Sequence, residues 1–350
     1  MIVYVLLVFL LIIFYNLKNN KKTEILFSIV LVILAAFRSA NTGADTLSFI
    51  EDYNSIMTSS WRYVTERYNG YWGYYYLCKL VSYSGCDVWL WFGIVESFFL
   101  ISIIKLINRF SVDGIYSLMI FLCNGLYVQS FNAQKQILAI SFMLFAFVAF
   151  ANKRFVLAGL LSLYAFVCHP TSAVFLPAFF MYYFRESKLL LPIALSFSLF
   201  LIIAGQTFLD QATLSMFVLL DNEHYEDYLV LDNTYTNTTL IFYSFSVLLP
   251  LLFTNKRLFK GPQDLEEKRK IAVLSLVFCL LCCSFQGLSA INPTLFRLAY
   301  YYSPFFMILI PNCTKLINNR GNRNLMTIII WASYIFYFLY TNRNTLYEFQ

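Results

Sequence analysis

Four short stretches put polar, chemically capable side chains where the surrounding pattern is apolar. The first, FRSANTGADTLSFIEDY at residues 37–53, follows directly on an apolar run and supplies Arg38, Gly43, Asp45 and Thr46. A guanidinium there could take phosphate oxygens in a bidentate fork, the glycine allows close backbone approach, and the aspartate could accept a proton. The same residues also suit a snorkelling anchor, with Asp45 as ion partner of Arg38 or as cap of a short helix over LSFIEDY. In FNAQKQILA, Lys135 and Gln136 start another apolar run, as substrate ligands or as an interfacial anchor. In VCHPTSAVF, His169 ends a run that Pro170 breaks, beside Thr171 and Ser172; such a histidine is either simply hydrogen-bonded or a base. In SAINPTLFRLAYYYSPFF, Arg297 opens a run with Tyr300 one turn on. Glu96, inside WLWFGIVESFFL, either caps a polar neighbour or relays a proton.

Taken together, three cations (Arg38, Lys135, Arg297), a histidine and an aspartate at run ends of one depth could line a single cavity for a diphosphate. No P-loop, GxSxG, GxGxxG or zinc-ligand spacing occurs, which argues against a nucleotide-driven pump, a serine hydrolase or a metallohydrolase. No cofactor or metal is expected. Six of the eight cysteines sit in or at the ends of apolar runs as packing residues, and CLLCC lacks nearby ligands for a metal. Cys78 and Cys86 share one loop and could pair in an oxidising compartment.

The elements that must hold these residues are membrane helices. Of 350 residues 60% are hydrophobic and 13% charged, against roughly 45–50% and 25% in soluble domains. The expected fold is an all-α polytopic membrane protein, one transmembrane domain over 1–350 with about twelve spans. The runs are 2–16, 24–37, 88–108, 115–131, 137–151, 155–168, 171–184, 189–205, 239–254, 271–288, 297–314 and 325–341. The pair within 155–184 reads as two short spans, one long broken helix or a re-entrant hairpin. KNNKK follows the first run without a small-residue cleavage site, so a cleavable signal peptide is not expected.

Assigning alternate loops to the cytoplasm from the first onward gives that side 18 of the 25 Lys and Arg. The positive-inside rule then puts both termini and all four stretches outside. The net charge of +6 reflects cytoplasmic loops, not nucleic-acid binding. Two outer loops are long. Residues 38–87 contain YNGYWGYYYLCKLVSYSG, read as a helix in the membrane interface. Residues 206–238 carry six acids, no Lys or Arg, and Tyr225 and Tyr228 among Asn and Thr. That loop is either a sugar-reading surface or simply a solvated acidic one.

These motifs resemble the EpsG-like, Wzy-type family of O-antigen and capsular polysaccharide polymerases. The resemblance covers about residues 24–310: Arg38, Gly43 and Asp45 in the first motif, Gln136, Leu138 and Ala139 in KQILA, His169 and Ser172 in the third, Arg297 and Tyr300 in RLAY. Lys135 stands where the family usually has arginine, keeping the charge without the fork. The resemblance implies a metal-independent glycosyltransferase of the bacterial inner membrane, acting in lipopolysaccharide assembly at the periplasmic face. It would transfer a growing glycan from undecaprenyl diphosphate to a hydroxyl of a second lipid-linked repeat unit. Arg38 and Arg297 would neutralise the leaving diphosphate, and His169 or Asp45 would take the hydroxyl proton. Lys135, Gln136, Gly43, Thr46, Ser172, Tyr300, Tyr225 and Tyr228 would bind substrate. The partners implied are the lipid-linked oligosaccharide, membrane lipids, a chain-length regulator and a flippase. The rival class is a flippase or transporter of the same oligosaccharide, for which an internal repeat would be expected.

Overall fold

The computed structural model describes residues 2–16, 21–68, 70–201, 238–254, 258, 266–290, 295–343 and 347. The acidic 206–238 stretch, with Tyr225 and Tyr228, lies outside the described residues apart from its last position. The described chain is helical, with no strand among the described residues. Four helices, Val88–Phe110, Gln134–Ala151, Glu266–Gly287 and Arg320–Thr341, are long and apolar enough to cross a membrane, and further apolar runs form shorter helices. Their outward side chains are those of a lipid-facing surface: Val156 is 80% exposed and Phe336 70%. In water such a surface would be an aggregation hazard; in hydrocarbon it costs nothing.

The chain divides into two compact units. The first takes residues 1–176 and 328–350. It contains α1 (Ile2–Asn16), α2 (Lys21–Ala36), α3 (Thr46–Thr58), α4 (Trp61–Arg67), α5 (Trp72–Ser82), α6 (Val88–Phe110), α7 (Gly114–Cys123), α8 (Leu126–Gln129), α9 (Gln134–Ala151) and α10 (Phe155–Cys168). Here α2 packs on α6, α6 on α9 and α9 on α10, while α5 bridges α3 and α10. The second unit, residues 177–327, holds most of α11 (Leu176–Tyr183), then α12 (Leu190–Leu201), α13 (Thr238–Thr254), α14 (Glu266–Gly287), α15 (Phe296–Ala299) and α16 (Phe306–Leu316). Within it α14 packs on α13, α15 and α16. The last helix, α17 (Arg320–Thr341), begins in this unit and ends in the first.

Several expected spans are interrupted. The 115–131 run breaks at Asn124–Gly125, where the Asn124 side chain accepts from the Leu126 amide at 3.0 Å. The 297–314 run breaks after α15 into a 3-10 turn, Ser303–Phe305, that carries Pro304. Both breaks lie among buried side chains, and non-helical backbone is tolerated at membrane depth when protein covers it. The 155–184 stretch is interrupted at His169–Pro170: α10, a 3-10 turn over Pro170–Phe175, then α11. His169 itself is extended, and Pro170 cannot continue the helical ladder.

The 38–87 stretch folds into α3, α4 and α5, with α5 lying within the YNGYWGYYYLCKLVSYSG segment. Two sequence features hold the three together. Lys79 is buried and its ammonium donates to the Ile56, Met57 and Ser59 carbonyls at 2.8, 3.1 and 2.7 Å, capping the end of α3. A cation at a helix C-terminus satisfies orphan carbonyls and complements the dipole. Gly73 lets α5 press onto α10, because a Cβ there would lie 2.9 Å from the Val167 backbone. Tyr164 of α10 fixes that contact by donating to the Gly73 carbonyl at 3.0 Å. Cys78 and Cys86 are both free thiols, and Ser84 donates to the Cys86 sulfur at 2.9 Å.

Candidate functional site

Arg38 sits just past the end of α2 and is 1% exposed, so it is not a snorkelling anchor. Its Nη1 donates to the Ala35 carbonyl and its Nε to Thr46 Oγ1 at 3.3 Å. Thr46 in turn donates to the Thr42 carbonyl at 2.6 Å. The Arg38 side chain is therefore a C-cap for α2, a task it shares with Tyr347, whose hydroxyl donates to the Leu34 carbonyl. The guanidinium lies 4.1 Å from the Phe92 ring centre and 4.9 Å from that of Phe131, faces that stabilise a desolvated cation. The Glu96 carboxylate on α6 acts on it electrostatically. Ser130 donates to Glu96 Oε2 at 2.8 Å. Arg38 Nη2 and Glu96 Oε1, both buried, have no hydrogen-bond partner among the described residues. A buried charged donor left open in this way is costly, and is where a functional role is first sought.

Gly43 carries the turn that joins Arg38 to α3. Its φ of +93° is a region side chains rarely adopt, and a Cβ would meet Asn132 Oδ1 at 2.7 Å and Phe131 Cβ at 3.0 Å. The first motif is thereby packed against the loop that opens α9 and carries the second. Asp45 is half-buried at the N-cap of α3, where its side chain makes no capping hydrogen bond.

At the start of α9, Gln134 accepts from Tyr74 at 2.9 Å, and Tyr74 accepts from Trp91 Nε1 at 3.0 Å, which ties α5, α6 and α9 together. Gln136 is buried. Lys135 is half-buried; its ammonium donates to the Tyr75 hydroxyl at 2.7 Å and lies 5.0 and 4.9 Å from the ring centres of Tyr71 and Tyr75. Tyr75 in turn donates to Asp52 Oδ2 at 2.8 Å, and Tyr68 donates to the other oxygen of Asp52 at 3.1 Å. The Tyr68 and Tyr75 rings stack at 3.8 Å. Burial first, then Asp52, pushes the Tyr68 phenol up to about 12 and the Tyr75 phenol higher, so both remain donors.

Tyr71 also meets the third motif, its ring centre 5.2 Å from that of His169. His169 Nδ1 and Thr171 Oγ1 are 2.6 Å apart, a bond that orients the imidazole. Ser172 is buried in the turn that follows, and its hydroxyl has no partner among the described residues. Three of the four motifs thus converge in the first unit: Arg38 on Phe131, Gly43 on Asn132, and Lys135 and His169 both on Tyr71.

The fourth motif lies in the second unit. Arg297 is half-buried in α15, and Tyr300, Tyr301 and Tyr302 are buried behind it, Tyr302 stacking on Phe285 with ring centres 5.8 Å apart. Asp52, Tyr68, Tyr71 and Tyr75 were not among the residues expected. Their signal was Tyr68, Tyr71 and Tyr75 at helical spacing. Among the described residues no group of three His, Cys, Asp or Glu is placed to hold a metal.

The described residues form an all-helical, membrane-embedded chain with a buried arginine and an aromatic-clamped lysine at its helix ends. Residues 24–350 match the EpsG family, and the chain belongs to it. This is a Wzy-type polymerase family, which points to a polysaccharide polymerase-type role and a glycosyltransferase-like activity. No curated protein and no solved structure matches the chain.

Proposed function

We propose that the chain is an oligosaccharide repeat-unit polymerase of the bacterial inner membrane. It transfers a growing glycan from undecaprenyl diphosphate to a hydroxyl of a second lipid-linked repeat unit, at the periplasmic face and without a metal. The acceptor oxygen bonds to the anomeric carbon, the bond from that carbon to the diphosphate oxygen breaks, and undecaprenyl diphosphate leaves with the electron pair. Neutralising that charge as it develops lowers the barrier. Lys135, half-buried, is the cation within reach of an incoming diphosphate. Arg38, deeper, offers its open Nη2 once the 39–45 turn yields. His169, oriented by Thr171, takes the hydroxyl proton, with Asp45 as the other candidate base.

The observation that carries this reading is that the Arg38 stretch packs on the loop opening α9, while Lys135 of α9 and His169 both meet Tyr71, together with an Arg38 Nη2 that is buried and unused. Deletion in the native cell should leave single repeat units at the cell surface. Complementation with the full chain should restore a polymer ladder. Repeat units retained on the cytoplasmic side would instead mark a flippase.

A further inference from the structure

A lysine in the first turn of a helix faces the positive end of the dipole, on a flexible four-carbon stem. Such a residue points nowhere in particular unless something holds it. Lys135 is held on three sides: by the Tyr71 and Tyr75 rings and by the Tyr75 hydroxyl at 2.7 Å. Tyr75 cannot wander either. Its proton is committed to Asp52 Oδ2, its ring is stacked on Tyr68, and Tyr68 occupies the other oxygen of Asp52. The negative charge of Asp52 therefore reaches the ammonium through a phenol.

We propose that Tyr75, fixed by Asp52, is a positioning residue that holds the Lys135 ammonium for an oxygen of the lipid diphosphate. The inference deepens the polymerase reading and rests on it for the identity of the anion.

The test is binding of undecaprenyl diphosphate to the full chain in lipid nanodiscs, with undecaprenol as uncharged control and polymerisation by the unmodified chain run in parallel. Tyr75→Phe keeps the ring and removes the clamp, and should weaken binding about tenfold, the scale of one hydrogen bond to a charged group. Lys135→Ala should weaken it at least as much. The double variant should bind no worse than Lys135→Ala, because the clamp acts only through the lysine. Unchanged binding in Tyr75→Phe, or losses that multiply in the double variant, would overturn the proposal, as would equal binding of diphosphate and undecaprenol. Coupled losses without any polymer from the unmodified chain would overturn the polymerase reading and leave the clamp standing.

Discussion

Replacing Arg38 tests stability and chemistry together, and the structure separates the two. Arg38→Ala removes the cap on the Ala35 carbonyl and the bond to Thr46. At roughly 1.5–3 kcal/mol for each charged hydrogen bond, the loss is about 3–6 kcal/mol, comparable to much of a typical protein's stability of roughly 5–15 kcal/mol. It also leaves Glu96 buried without its cation. The alanine variant should therefore lose much of its folded protein, and adding Glu96→Gln should recover part of it without recovering activity. Arg38→Lys is the sharper probe. An ammonium can still lie over Phe92 and Phe131 and reach one acceptor, so folding should survive. It cannot hold α2 and Thr46 and still present a donor to a diphosphate. Losing that donor costs about 1.5–3 kcal/mol in the transition state, or roughly tenfold to 150-fold in turnover. The assay is turnover by full-length protein in detergent or nanodiscs, normalised to the folded fraction by size-exclusion chromatography, beside ladder length in cells. A lysine variant within about twofold of the unmodified turnover, or a full ladder from Arg38→Ala/Glu96→Gln, would reduce Arg38 to a helix cap.

Other substitutions read other parts of the account. His169→Ala should lower turnover more than donor affinity, since a base acts in the transition state; single-turnover rates beside binding curves check this, and parallel losses would make His169 a binding residue. Gly43→Ala should destabilise the first motif and abolish polymer, because its φ of +93° and the 2.7 Å approach to Asn132 Oδ1 both exclude a side chain; a normal melting temperature with normal activity would contradict that geometry. Lys79→Met keeps the apolar stem but uncaps α3, and should lower the melting temperature by several degrees while leaving donor affinity per folded molecule unchanged; equal thermal stability would show that the three carbonyl contacts count for little.

Much of the fold was legible because hydrophobic runs were read as lengths of hydrocarbon. The 2–16 and 155–168 runs became α1 and α10, and 239–254 became all but the first residue of α13. Runs 115–131 and 297–314 misled because apolar composition does not distinguish a continuous span from buried, broken helices. The Asn124–Gly125 pair and Pro304 were the local signals that could have split them. Arg38, Gly43 and Thr46 were legible as one unit because they lie within nine residues of each other. The exposure of Arg38 was not, since Phe92, Phe131 and Glu96 come from distant segments that only packing brings together. The Asp52–Tyr75–Lys135 chain has the same cause: its members stand 23 and 60 residues apart. That Tyr74 and Tyr75 of YNGYWGYYY are buried was also not legible, because composition does not say which face of a helix packs on protein.

The central claim is glycan transfer with release of lipid diphosphate, and reconstitution measures it directly. Full-length protein in proteoliposomes would be given a purified lipid-linked repeat unit as its only substrate, with chelator present, and both glycan length and free undecaprenyl diphosphate would be followed. A ladder of polymer with one undecaprenyl diphosphate released per new linkage is the predicted result. Repeat units that cross the bilayer unchanged, or that remain single with no diphosphate released, would contradict it.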